Sequence, residues 1–434
     1  MTAVSEQPFP LDLWSEAVYS RRSIPATLAT GEYTAEADTT ASAAAARPTD
    51  GGFPLPPPPL RLEAGQLAAE AGLSDESTLA AVLHYSFGLL QHDLTPGGWP
   101  LHRAVASARC LYPSELHLVS PDHQGRPADV RRYDPLHHRL TPVRGAADRQ
   151  GQGASRFLVL TSRFARTARL YGGYAPRLCA QEAGMLLGAV HLAAAALGLR
   201  ARAGLDRETL LGLCDGWLEA GAEHPMGYLE VGPARGTAAP PAWAPEDLAG
   251  ALRARHSGAA IFDPAPVPAP KAMLDELGAA LACAPFADFS CHLYLSRVTG
   301  LSPGHYRYTG DRLELVRAED PVPALEQIGQ TEGRVSLNFR AVAVTAYLAV
   351  PRGPAVAAHG ADAFRRLHLV AGAAAHLLCV VAARHGQSAR VHNGYDAATA
   401  ERLLGLTGAD ETVLFQIAVG AARPAPGFRL PVVF

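Results

Sequence analysis

HLAAAALGLRARAGLDRETLLGL, residues 191–213, is answered by CVVAARHGQSARVHNGYDAATAERLLGL, residues 379–406. Each stretch reads as an Ala-rich helix, a short loop carrying Gly and Asp, and a second helix. Gly204 in the first loop is matched with Gly394 in the second. Working outward, GYLEVGPAR (227–235) matches FQIAVGAAR (415–423), with Gly232 answered by Gly420. RFLVLTSRFAR (156–166) shares its strand character with RAVAVTAYLAV (340–350). RRYDPLHHRLTPV (131–143) answers HYRYTGDRLELV (305–316) as a hairpin with a central turn. Four landmarks in one order, at nearly constant offsets, make the chain a tandem duplication. Mixed helices and strands without regular β-α-β alternation predict an α+β layer fold for each unit. Duplication of such a unit mimics a two-fold dimer, here an intramolecular pseudo-dimer. The expected organisation is an N-terminal segment over 1–59, one unit over 60–235 and a second over 236–434.

The chain has 434 residues, enough for two or three domains and a substantial core. With 38 basic against 41 acidic residues, no overall field favours nucleic acid or an anionic membrane. Lys271 is the only lysine, so lysine chemistry elsewhere is excluded. Cys110, Cys179, Cys214, Cys283, Cys291 and Cys379 form no C-x-x-C pair, which suits reduced thiols in the cytoplasm. The histidines show no H-E-x-x-H and no metal spacing, so no metal site is expected. The N-terminus lacks the pattern of a signal peptide, and the apolar stretches near 185–199 and 367–383 read as buried helices, not membrane spans. Residues 27–60, poor in large apolar side chains and closing in FPLPPPPL, read as a flexible insertion.

Four stretches could carry chemistry. RAVASARCLYPSELHLV (103–119) places Ser107 in a small-residue turn before a strand. ALRARHSGAAIF (251–262) puts Arg255, His256 and Ser257 at a helix end, where Arg and Ser one residue apart can grip phosphate oxygens. RRSIP (21–25) offers the same triplet. RVHNGYDAA (390–398) could present the amides of Asn393 and Gly394 to an electron-rich ring atom, or could simply cap a helix. GFRLP (427–431) supplies Arg429, a surface charge or a phosphate ligand. Taken singly, each stretch has an ordinary structural reading.

Together, and in this order, they resemble the FMN-dependent nitroreductase superfamily. ASARCLYPSEL is similar to the P-S-A-G-A-L-Y-P-x-E-L turn of its SagB-type, McbC-like branch, and ELHLV, the RYD and RYT hairpins and ARLYGGYAPRLCAQEAG support that branch. The resemblance implies a flavin held by Arg255, His256, Ser257, Gln330, Asn393, Gly394 and Arg429 of the second unit with Ser107 and Arg109 of the first. The reciprocal site would need Arg21 and Ser23 with a turn degraded at Ala287, so one FMN per chain is expected. The branch contains azoline dehydrogenases of ribosomal peptide pathways, which carry a Lys-Tyr pair before the long apolar helix. Here Leu170 replaces the lysine, Tyr171 remains, and Arg169 is the cation expected to lower its pKa. The implied activity oxidises thiazoline or oxazoline rings to azoles, with Tyr171 as base, a precursor peptide as substrate and a cyclodehydratase as partner. The alternatives are an NAD(P)H-dependent nitro or ene reductase and a degenerate scaffold subunit.

Overall fold

The computed structural model describes residues 9, 12–19, 52–60, 62, 72–94, 101–144, 156–218, 221–233, 248–257, 262–331, 334–335, 337–406, 410–423, 429–432 and 434. The chain divides into two compact units. One comprises Met1–Pro8, Arg22–Arg253 and Pro426–Phe434; the other comprises Phe9–Arg21 and Ala254–Ala425.

The first unit contains β1 (Phe53–Pro54), α1 (Glu76–Phe87), β2 (Leu89–Asp93), β3 (Leu101–Arg103), β4 (Ser114–Pro121), β5 (Pro127–Asp134) and β6 (Arg139–Arg144). It continues through β7 (Arg156–Ser162), α2 (Phe164–Tyr171), α3 (Ala175–Ala196), β8 (Arg200–Gly204), α4 (Arg207–Cys214) and β9 (His224–Gly232). Its main sheet runs β1-β6-β5-β4-β7-β9-β8. A helix α5 (Leu248–Ala254) leads out of this unit. The second unit contains α6 (Lys271–Ala282), β10 (Ser290–Leu295), β11 (Gly304–Thr309), β12 (Arg312–Ala318), α7 (Val322–Gly329), β13 (Gln330–Thr331) and β14 (Arg334–Val335). It closes with β15 (Val344–Pro351), α8 (Arg352–His359), α9 (Ala363–Arg384), β16 (Ser388–His392), α10 (Ala397–Leu404) and β17 (Glu411–Gly420). Its sheet runs β12-β11-β10-β15-β17-β16, which matches the first sheet strand for strand once β1 is set aside. A last strand, β18 (Arg429–Pro431), pairs with β2 in the first unit.

Helices α3 and α9 have the same length, 22 residues, and hold the same place in the element order of their units. Both are rich in Ala and Leu and buried nearly all round, as a helix needs to be when sheet and helices cover every face. Among the described residues they lie in the two stretches long and apolar enough to cross a membrane, whose windows are 89% and 94% buried inside the protein. They are core helices.

Three features differ from the sequence expectation. The unit boundary falls after Arg253, not after residue 235, because Arg253 Nη1 donates to Leu60 O at 2.6 Å and Nη2 to the Tyr85 hydroxyl at 2.8 Å. Residues 52–60 are docked instead of loose: Phe53 pairs with Leu140, Leu55 N donates to His138 O, and Pro59 O accepts from the Tyr85 hydroxyl. A polyproline stretch has no internal hydrogen bonds, so its carbonyls are open to side-chain donors. Residues 12–19 belong to the second unit, where Trp14 packs edge-on against Phe364 at 5.0 Å and the Tyr19 hydroxyl donates to Glu401 at 3.0 Å.

The register also corrects the pairing of the two glycines. Gly204 faces Tyr228 across β8 and β9, whereas His392 faces Gln416 across β16 and β17. Gly232 and Gly420 end β9 and β17, and counting back from each reaches Tyr228 and Gln416 at the same position. His392 is therefore the structural counterpart of Gly204. The following helices are capped by Asp206 and Asp396, so the second unit's loop is longer by two positions. A Cβ on Gly204 would fall 2.1 Å from the Tyr228 ring. The first unit fills this space with a tyrosine and the second with a histidine.

Candidate functional site

In the first unit the loop between β3 and β4 is bent by three non-glycine residues in the left-handed region: Arg109 (φ 50°), Cys110 (φ 52°) and Tyr112 (φ 46°). Each costs about 1–2 kcal/mol, so surrounding bonds must hold it. The Ser107 hydroxyl accepts from Tyr112 N at 3.0 Å and also hydrogen-bonds Glu182. Arg103 N donates to the Tyr112 hydroxyl at 3.1 Å, and the Arg103 guanidinium lies over the rings of Phe87 (4.3 Å) and Tyr112 (4.5 Å). From α2, Arg166 donates to Tyr112 O at 3.0 Å and to Glu115 at 2.6 Å. Glu182, a buried carboxylate on α3, also receives Ser114 N at 3.4 Å. Burial raises its pKa, while Ser107, Arg103 and Ser114 oppose the rise.

Tyr171 ends α2 and is half-buried. The cation acting on it is Arg109, which donates a hydrogen bond to the phenol oxygen. Arg169, the expected partner, is exposed. Burial nevertheless raises the Tyr171 pKa above the ordinary tyrosine value, outweighing Arg109. The expected depression does not occur. At neutral pH this group is a hydroxyl that can donate.

In the second unit α5 ends at Ala254, and Arg255 is 5% exposed. Its charge acts on His376 and Cys379 of α9: burial and Arg255 push His376 down to about 3, and burial pushes Cys379 up to about 11 against the pull of Arg255. His256 O accepts Ala389 N of the edge strand β16 at 3.3 Å, and Ser257 is partly exposed. Asn393 and Gly394 follow the other end of β16, about 13 Å along at the usual strand rise. Gly394 N donates to His392 Nδ1 at 3.2 Å, so the amide offered to a ring atom in the sequence reading already has a protein acceptor. Gln416 Nε2 donates to the Tyr347 hydroxyl at 2.7 Å, and Gln416 Oε1 lies 3.1 Å from His392 Nδ1.

The remaining expected residues are dispersed. Gln330 is exposed after α7, and Arg429 donates to Asp93 at 3.1 Å in the first unit, not the second. Arg429 moves because β18 hydrogen-bonds to β2. Arg21 and Ser23 lie outside the described residues. Glu182 and His392 were missed by sequence reasoning; the one signal for Glu182 was a carboxylate within the apolar run CAQEAGMLLG.

No protein-family model matches the sequence, and no curated protein matches it. Among solved structures, a protein assigned as a nitroreductase from Anabaena variabilis superposes over 91% of this chain and 100% of its own, with TM-score 0.65 and 17% identity. A second protein so assigned, from Ralstonia eutropha, covers 41% of this chain and 83% of its own at TM-score 0.32 and 20% identity. The Escherichia coli microcin synthetase McbBCD complex with truncated pro-MccB17 covers 36% of this chain and 63% of the matched chain, at TM-score 0.29 and 21% identity. The chain therefore has a nitroreductase-like α+β fold, the superposition with the Anabaena protein extending through both units.

Proposed function

We propose that this chain is an FMN-dependent oxidoreductase that removes two hydrogens from a thiazoline or oxazoline of a ribosomally made peptide. The observation that carries the reading is the Arg109–Tyr171 pair, a phenol oxygen hydrogen-bonded by a guanidinium from a strained loop within a nitroreductase-like fold. The donor set fits the cofactor's phosphate: Arg255 offers a guanidinium and Ser257 a partly exposed hydroxyl one residue apart, at the head of an edge strand. Asn393 would help to hold the ring system, the Gly394 amide being already bonded to His392. Bound there, FMN would supply two-electron acceptor chemistry. The protein's part is orientation and proton handling. Tyr171 would take up the ring Cα proton at its phenol oxygen while its own proton passes on to solvent, with Arg109 steadying the oxygen between the two transfers. The expected partners are a cytoplasmic precursor peptide and the cyclodehydratase that forms its azolines.

A second reading, an NAD(P)H-dependent nitro or ene reductase, draws on the raised Tyr171 pKa, since a protonated phenol suits donation in the reductive direction. Incubation of the flavin-loaded protein with an azoline peptide separates the two. The first reading predicts loss of two hydrogens from the peptide by mass spectrometry. An unchanged peptide, with NAD(P)H oxidised on adding a nitroarene, would support the second.

A further inference from the structure

We propose that Cys110, His102 and Asp93 form a thiol nucleophile with its own base, built to add to an electron-poor alkene conjugated to a carbonyl. All three lie in the first unit, and the proposal does not require the flavin reading. Cys110 Sγ lies 4.0 Å from His102 Nδ1, and His102 Nε2 lies 3.7 Å from Asp93 Oδ2. This is the order of nucleophile, base and orienting carboxylate, with Nε2–H toward Asp93 and Nδ1 left to accept the thiol proton. The spacing is loose, as such sets often are before a ligand closes them.

Cations and a phenol hydroxyl lie around the sulfur. Cys110 is partly exposed and sits in the left-handed stretch with Arg109 and Tyr112, where strain holds a side chain at a bend. The Tyr112 hydroxyl hydrogen-bonds Cys110, and Arg103 lies over the ring of the same tyrosine. Arg109 is the preceding residue, Arg429 donates to Asp93 at 3.1 Å, and Glu115 and Glu182 act on Arg103. Cationic, partly exposed settings of this kind activate a cysteine. Four of the other cysteines are inert by contrast. Cys179, Cys214, Cys291 and Cys379 are buried, and burial pushes their thiols up to about 12, 12, 12 and 11.

The addition is redox-neutral. His102 Nδ1 takes the thiol proton, and the sulfur lone pair forms a bond to the β-carbon of the alkene. The π pair moves toward the acyl group, where Arg109 supplies a cation, and the proton on His102 ends on the α-carbon. The ligand class is therefore an α,β-unsaturated amide or acyl group.

Acrylamide is a probe of that class, and Cys283, partly exposed at the end of α6, is a control inside the same molecule. The whole protein would be treated with acrylamide from pH 5 to 9 and its adducts counted by peptide mass spectrometry. Cys110 should react at least tenfold faster than Cys283 at pH 6.5, with a midpoint below the ordinary thiol value of about 8.5. His102→Gln should bring Cys110 down to the rate of Cys283. Equal rates in the unaltered protein, or a Cys110 rate unmoved by His102→Gln, would overturn the proposal.

Discussion

Arg255 and Arg429 looked alike in the sequence and have different fates in the fold. Arg255 is buried against α9, whereas Arg429 is 43% exposed by its side chain and bonds Asp93. A charge-assisted hydrogen bond to phosphate is worth about 1.5–3 kcal/mol, so Arg255→Ala should weaken FMN binding roughly tenfold or more. Arg429→Ala removes a half-exposed ion pair worth about 0–1 kcal/mol and should leave FMN affinity within about threefold. Fluorescence titration of flavin would compare them, and equal losses would show the phosphate site to be misplaced. Tyr171→Phe keeps the ring and deletes the hydroxyl, so flavin content should hold while turnover falls by roughly a hundredfold. Because the Tyr171 pKa is raised, its protonated form persists through neutral pH and is lost only above the ordinary tyrosine value of about 10. A proton-donor role therefore predicts a Tyr171-dependent rate that is flat from pH 7 to 9, whereas a rate climbing steadily over that range would mark it as a base. The tyrosine was legible from its place before an apolar helix. Its true partner was not, because nothing in SARCLYP announces that Arg109 adopts a left-handed backbone and turns toward α2.

Among the elements, β8–β9 and β16–β17 hold the clearest lesson. Gly204 is tolerated because Tyr228 occupies the volume its Cβ would need. Gly204→Ala should therefore destabilise the protein by about 1–3 kcal/mol through overpacking. Tyr228→Gln, which copies the second unit, should recover much of that loss, since neighbouring substitutions couple. Urea midpoints of the two single variants and the double variant would measure the coupling, and strictly additive losses would refute the exchange of volume. The repeat itself was legible because alternating apolar strands and two Ala-rich helices keep a nearly constant offset. The lengthening of the loop after His392 was hidden by matching Gly204 to Gly394, a choice that only strand register could correct. The docking of residues 52–60 was illegible for a different reason. Its donors, Tyr85, His138 and Arg253, are far away in sequence.

At the scale of the whole molecule, buried histidines make stability depend on pH. His84 and His376 are pushed down to about 3, and His117, His292 and His305 to about 4, chiefly by burial. In the unfolded chain they take up protons near 6.5, so below that pH the unfolded state binds more protons. Their contribution is complete above about pH 6.5 and is lost as pH falls toward 4 for His117, His292 and His305 and toward 3 for His84 and His376, each costing about 1.4 kcal/mol per pH unit. Melting temperatures should fall steeply between pH 6.5 and 4.5, and a flat profile would show these rings to be solvated. The most direct test of the central claim, a flavin-binding oxidoreductase with one intact site, is the flavin released from the purified protein after saturation with FMN. The ratio should approach one FMN per chain. A chain that takes up none would contradict the flavin reading outright, and two per chain would contradict the single site.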